Sequence, residues 1–86
     1  MYRLKLYKQA ARYYSKLDVK TKRRINLAID EMIKNPFEGA HIKKLKGRLE
    51  GKYRYDIGNF RVIYYVDVDS KTIYIEAIGS RGDIYK

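Results

Sequence analysis

The chain of 86 residues contains no cysteine and one histidine. Without thiols, neither a disulfide nor a thiolate metal site can supplement its core. A lone histidine argues against zinc and against catalysis by a histidine pair, so neither metal nor cofactor is expected. Long apolar runs are missing as well. No segment approaches the roughly 20 apolar residues that span a bilayer as a helix. The opening MYRLKLYKQA lacks the apolar stretch of a signal peptide. The expected location is the cytoplasm, with no membrane partner. Repeats, linkers and low-complexity segments are absent, and the length suits one small domain, 1–86, with a single core.

Acidic residues are scarce: ten against twenty Lys and Arg, a formal charge of +10. That balance favours a polyanion, an anionic membrane surface or an acidic protein as partner. The cations are also clustered. Nine fall between Arg3 and Arg24 with one acid, Asp18, and six between Lys43 and Arg54 with one acid, Glu50. A merely solvated surface intersperses the signs, so the asymmetry points to a partner.

What is present divides into periodic segments. Tyr2, Leu4 and Leu6 alternate with Arg3 and Lys5, which predicts a first strand. A short helix is expected over Gln9 to Leu17, with Ala10, Tyr14 and Leu17 inward. Asp18 suits the N-cap of a second helix. In that helix Ile25, Ala28, Ile29, Met32 and Ile33 recur at helical spacing and form one buried stripe. Asn35-Pro36 ends it, because proline disfavours helical geometry in the preceding residue. The two helices form a basic hairpin carrying Lys16, Lys20, Lys22, Arg23 and Arg24. Residues 37–51 read as a loop.

The stretch KYRYDIGNFRVIYYVD, 52–67, reads as a β-hairpin turning at Gly58-Asn59. Pairing Ile57 with Phe60 places Asp56 opposite Arg61 and Arg54 opposite Ile63. Lys52, Arg54, Asp56, Arg61 and Tyr65 then share one face. A sheet face that gathers cations does not build a core; it suits a phosphate backbone. Asp67 to Lys71 reads as a turn into a last strand, Thr72 to Gly79. The order strand, two helices, three strands gives an α+β fold. An antiparallel sheet carries the helical hairpin on one face, and the face with Lys52, Arg54, Asp56 and Arg61 is left uncovered.

This order resembles the RelE/ParE superfamily of toxin–antitoxin toxins over essentially the whole chain. The most specific matches are Leu45-Lys46-Gly47, the hairpin YRYDIGNFRVIYYVD, and the ending IGSRGDIYK from Ile78. The RelE branch consists of ribosome-dependent mRNA endonucleases inhibited by a cognate antitoxin, and the ParE branch poisons DNA gyrase on the same fold. The resemblance implies a type II toxin, here of RelE type. Its partners would be the ribosome and mRNA, together with an acidic, largely disordered RelB-like antitoxin in a hetero-oligomeric complex. It implies a basic residue at Arg54, a phosphate-binding arginine at Arg61, an arginine assisting the leaving group at Arg81, and a base-orienting tyrosine at Tyr85. Many RelE-type enzymes carry a second cation where this chain has Asp56. The alternatives are a gyrase inhibitor and a catalytically degenerate member that only binds RNA or antitoxin.

Metal-free RNA cleavage must activate a 2′-hydroxyl, stabilise charge on a five-coordinate phosphorus and protonate the leaving 5′-oxygen. Preorganised cations supply the charge term, commonly the largest one. Arg54 and Arg61 suit the scissile phosphate with forked hydrogen bonds, and Tyr85 suits stacking on a base. Arginine stays charged and is a poor proton acceptor, so the general base is the missing part. Asp56 is the candidate, although opposite Arg61 it is expected to be salt-bridged. His41 reads as an ordinary surface residue. Lys43, Lys44, Lys46, Arg48 and Lys52 are the expected RNA contacts flanking the site. An ionic ladder that only solubilises the sheet accounts for Arg54, Asp56 and Arg61 without any site.

Overall fold

The fold is taken from a computed structural model that describes residues 1–80. Its elements are β1 (Arg3–Leu6), α1 (Lys8–Ser15), α2 (Val19–Lys34), β2 (Ile42–Lys44), β3 (Tyr53–Ile57), β4 (Phe60–Asp67) and β5 (Thr72–Ser80). The strands form one sheet in the order β1-β5-β4-β3-β2. The helical hairpin packs on one face, α1 against β5 and β1, and α2 against β3. The expected α+β architecture is what forms.

Two features lie beyond the sequence reading. The first strand is not antiparallel: β1 runs parallel to β5, with Leu4 beside Ile73 and Leu6 beside Ile75. The helical hairpin carries the chain from β1 at one edge of the sheet to β2 at the other, and β3 and β4 follow before β5 returns beside β1, a long connection of the kind that parallel partners require. Residues 37–51 are also more than a loop. Ile42–Lys44 forms an edge strand antiparallel to β3, and Gly47–Leu49 forms a single 3₁₀ turn. Two polar residues separate Ile42 from Leu45, too little periodicity to announce a three-residue strand.

The hairpin register is as the alternation demands. Ile57 pairs with Phe60, Asp56 with Arg61, Tyr55 with Val62 and Arg54 with Ile63. Gly58 takes φ +55° at the first central turn position, the conformation that glycine supplies to a type II′ hairpin. The guanidinium of Arg24 packs over that turn, and a Cβ on Gly58 would lie 2.5 Å from its Nη2. The β4–β5 turn closes differently. Asp67 Oδ1 accepts hydrogen bonds from the amides of Asp69 (3.1 Å) and Ser70 (3.4 Å).

The core lies between helices and sheet. Ala10 from α1 and Ile25, Ala28 and Met32 from α2 meet Tyr55, Ile57, Val62, Tyr64, Ile73, Ile75 and Ile78. A β-bulge lets Ile78 join them. The β4–β5 register shifts between Ile63 and Tyr64, which face Ala77 and Ile75, leaving Glu76 as the extra residue. One inserted residue inverts the alternation beyond it, so Ile73, Ile75 and Ile78 all point at the helices. Tyr64 is fully buried, and its hydroxyl donates to the Pro36 carbonyl at 2.7 Å. Burial raises its pKa. That bond ties the end of α2 to the middle of the sheet.

Candidate functional site

Strand parity decides which side chains meet. On β3 and β4, Tyr53, Tyr55, Ile57, Phe60, Val62 and Tyr64 belong to the core or pack against it. The intervening Arg54, Asp56, Arg61, Ile63 and Tyr65 face the opposite side. Among the described residues no helix or strand packs on that side. Ile63 is buried there outside the core cluster, between its cross-strand neighbours Arg54 and Ala77.

Asp56 sits between the two arginines. Arg54 approaches it through Nε, 2.8 Å from Oδ1, and Nη2 donates to Oδ2 at 3.1 Å. The Nε of Arg61 lies 3.4 Å from the same Oδ1. The side chains of Arg54 and Arg61 are 16% and 17% exposed and that of Asp56 29%. Their charges are therefore screened less than those of a solvated pair. Two guanidiniums around one carboxylate leave a net positive cluster that is held in place and reachable from solvent. Such a cluster can take a phosphate oxygen without first gathering long side chains, which is what preorganised charge stabilisation needs. The expected salt bridge between Asp56 and Arg61 is present, and Arg54 completes the ionic ladder that the shared face allows, holding the same carboxylate more closely. The spacing Arg54-x-Asp56 on one strand face was the signal for it.

The basic run 43–48 does not act as one patch. Lys43 is the register partner of Arg54 and joins its face, whereas Lys44 pairs with Tyr53 and takes the opposite parity. Lys46 and Arg48 are exposed beyond the end of β2. Lys52 precedes β3 and meets Glu76 at 2.8 Å. Arg81 and Tyr85 lie outside the described residues. His41 is exposed, and its ring packs 5.7 Å from that of Tyr55 in a cleft of about 220 Å³ against α2. In the same cleft Tyr55 donates a hydrogen bond to Glu31, and burial together with that carboxylate pushes the Tyr55 hydroxyl up to about 12.

The open face also holds an aromatic group. Tyr65 stacks on Tyr74, centroids 5.0 Å apart, and its hydroxyl lies 3.0 Å from that of Tyr7. The bond to Tyr7 raises the Tyr65 hydroxyl to about 12. Sequence reasoning singled out Tyr65 and overlooked Tyr74. The alternation of Ile73 and Ile75 around Tyr74 was enough to turn it outward.

A family model described as the ParE toxin of type II toxin–antitoxin systems matches residues 4–85. The chain belongs to the RelE/ParE toxin superfamily. Among solved structures, this toxin is 31% identical to a chain of the archaeal RelE–RelB complex from Pyrococcus horikoshii OT3. The TM-score is 0.80, with 95% of this chain and 97% of that one covered. A chain of the Staphylococcus aureus YoeB–YefM heterotetramer is 28% identical, with a TM-score of 0.73 and coverages of 90% and 93%. The isolated E. coli RelE toxin shares the fold at 20% identity, TM-score 0.81, with 93% and 84% covered. No curated protein matches the chain. No helix among the described residues is long and apolar enough to cross a membrane.

Proposed function

We propose that this toxin is of the RelE kind: it enters the ribosome, cleaves mRNA there without a metal, and is held inactive by an acidic antitoxin. The observation that carries the reading is the pair Arg54 and Arg61 gathered around Asp56 on a sheet face that the helices leave open. The similar archaeal structure from Pyrococcus horikoshii is a RelE–RelB complex, and an antitoxin of that type is the proposed partner. A disordered acidic segment folding over the chain's net charge of +10 is the chemistry such a partner needs. In a hetero-oligomeric complex it would shield the same face from RNA.

In this scheme Arg61 and Arg54 bind the scissile phosphate and stabilise the added charge on its equatorial oxygens. Asp56 holds both guanidiniums in register and is the candidate acceptor for the 2′-hydroxyl proton. Arg81 assists the leaving 5′-oxygen and Tyr85 orients a base. Lys43 and Lys52 extend the cationic surface on one side, and Lys44, Lys46 and Arg48 contact ribosomal RNA at the sheet edge.

The test is induction of the toxin in growing cells, wild type against Arg61→Ala. Wild type should fragment transcripts, and Arg61→Ala should cut about 10²- to 10³-fold more slowly while still binding antitoxin, as expected for loss of one charge-stabilising donor. A soluble Arg61→Ala protein that cuts normally would sink the site assignment. The second reading, gyrase inhibition, is favoured by the matched family model, which is that of ParE. It predicts a DNA damage response with intact transcripts. In a catalytically degenerate member, neither response would appear.

A further inference from the structure

Four residues along β4 from Arg61, the open face changes character. Tyr65 and Tyr74 are register partners, and their rings lie 5.0 Å apart with planes 14° from parallel. Lys5 on β1 is the register partner of Tyr74. On the other side, Lys52 precedes the Tyr53–Tyr64 pair and so lies level with Tyr65. The row across the sheet therefore reads lysine, tyrosine, tyrosine, lysine. Neither ring belongs to the core cluster. Tyr7 engages the Tyr65 hydroxyl at 3.0 Å and meets its ring edge-on at 6.3 Å. Glu76 holds Lys52 at 2.8 Å. The hydroxyl of Tyr65 is thus already engaged and each ring covers one face of the other; both are half-buried, and their outer surfaces are what the pair offers a ligand.

We infer that the Tyr65–Tyr74 pair is a nucleobase-stacking subsite for single-stranded RNA, separate from the arginine cluster and on the same face. The inference rests on the RNA-cleaving reading and adds where the strand is gripped away from the scissile phosphate. At about 3.4 Å per strand residue, Tyr65 lies roughly 14 Å along β4 from Arg61. A strand laid along β4 reaches both. Every base has a π-face, so the subsite accepts any base, while Lys5 and Lys52 draw the flanking phosphates. Charge selects the occupant: aromatic rings between cations, on a chain of net charge +10, fit a polyanion that carries its own flat rings.

The probe is a fluorescent single-stranded oligoadenylate titrated with the full chain at low salt. Tyr65→Leu and Tyr74→Leu should each weaken binding about 5- to 150-fold, the range for loss of one stacked base. Their salt dependence should stay that of wild type, because no charge is removed. Tyr65→Phe keeps the ring and should bind as wild type does. The wild-type chain tests the point without any substitution: an abasic strand of the same length should bind more weakly by a similar factor. Equal affinity for abasic and intact strands overturns the subsite, as do folded leucine variants of unchanged affinity. Leucine variants that lose antitoxin and keep RNA would make the pair a protein contact and overturn it too. A wild-type chain that binds no oligonucleotide at low salt overturns the subsite, whereas the RNA-cleaving reading falls separately, on intact transcripts after induction. Binding that ignores the tyrosines sinks the subsite alone.

Discussion

The two faces of the β3–β4 hairpin are made by the same sixteen residues, 52–67, yet they solve opposite problems. On the helix side, Tyr55, Ile57, Val62 and Tyr64 are buried against α2 and the neighbouring strands, and the polar atoms that enter are individually satisfied. Tyr64 reaches the Pro36 carbonyl and Tyr55 reaches Glu31. On the open side, Arg54, Asp56 and Arg61 are held by one another while remaining in reach of solvent. The first face removes apolar surface from water and carries the stability. The second keeps charge concentrated and pre-positioned, at a cost in self-repulsion that a buried core can offset. Changes on the two faces should therefore separate into losses of stability and losses of binding or rate.

The sharpest way to break that comparison is a deletion on the covered face. Met32 is fully buried, and Met32→Ala should destabilise the fold by about 2–5 kcal/mol. A chain of this size has only about 4–13 kcal/mol in total. Chemical denaturation measures the loss, and the folded fraction should bind RNA as wild type does. A smaller effect is expected for Tyr64→Phe, which keeps the ring and removes the hydrogen bond to Pro36. Leaving that buried carbonyl unpaired should cost about 1–3 kcal/mol, again without altering RNA affinity per folded molecule.

Alkaline pH tests both faces by titration. Tyr55 and Tyr64 ionise above the ordinary tyrosine value in the folded chain, chiefly through burial, and Tyr65 does so through its bond to Tyr7. A raised folded-state pKa favours the protonated form on folding. Its stabilisation is complete below about pH 10, the unfolded value, and for Tyr55 is lost as pH rises to about 12. Melting temperature should fall across that window, and Tyr55→Phe should flatten part of the fall. An identical fall in that variant would remove Tyr55 from the account.

The finest test lies within β2. Lys43 shares the face of Arg54 and Lys44 does not. If the open face binds a single strand, Lys43→Ala should reduce the slope of log K against log salt by about 0.7. Lys44→Ala should leave the slope nearly unchanged. Equal effects would mean that the edge as a whole, and not one face, meets the phosphates.

Much of this was legible before any fold was known, and the reasons are local. Alternation through Tyr53, Tyr55 and Ile57, with Gly58-Asn59 after it, sets both the turn and the register, because a two-residue loop leaves no room for slippage. The stripe from Ile25 to Ile33, bounded by Asp18 and Pro36, sets α2 in the same way. Parity alone then puts Arg54, Asp56 and Arg61 on one face. What could not be read depends on partners distant in the chain. The parallel pairing of β1 with β5 joins residues nearly seventy positions apart, and β2 becomes a strand only because β3 offers it an edge. Lys43 and Lys44 look equivalent in sequence and part company for that reason.

The sequence by itself determined the period of each element, the hairpin register and the excess of positive charge, because each follows from near neighbours and fixed backbone geometry. Tertiary structure alone decided that the Glu76 bulge brings Ile78 into the core and that Tyr65 and Tyr74 stack between two lysines. Those outcomes depend on strand order and on one inserted residue. A single shift of parity turns a side chain from the core to the open face, and only the assembled sheet says where that shift occurs.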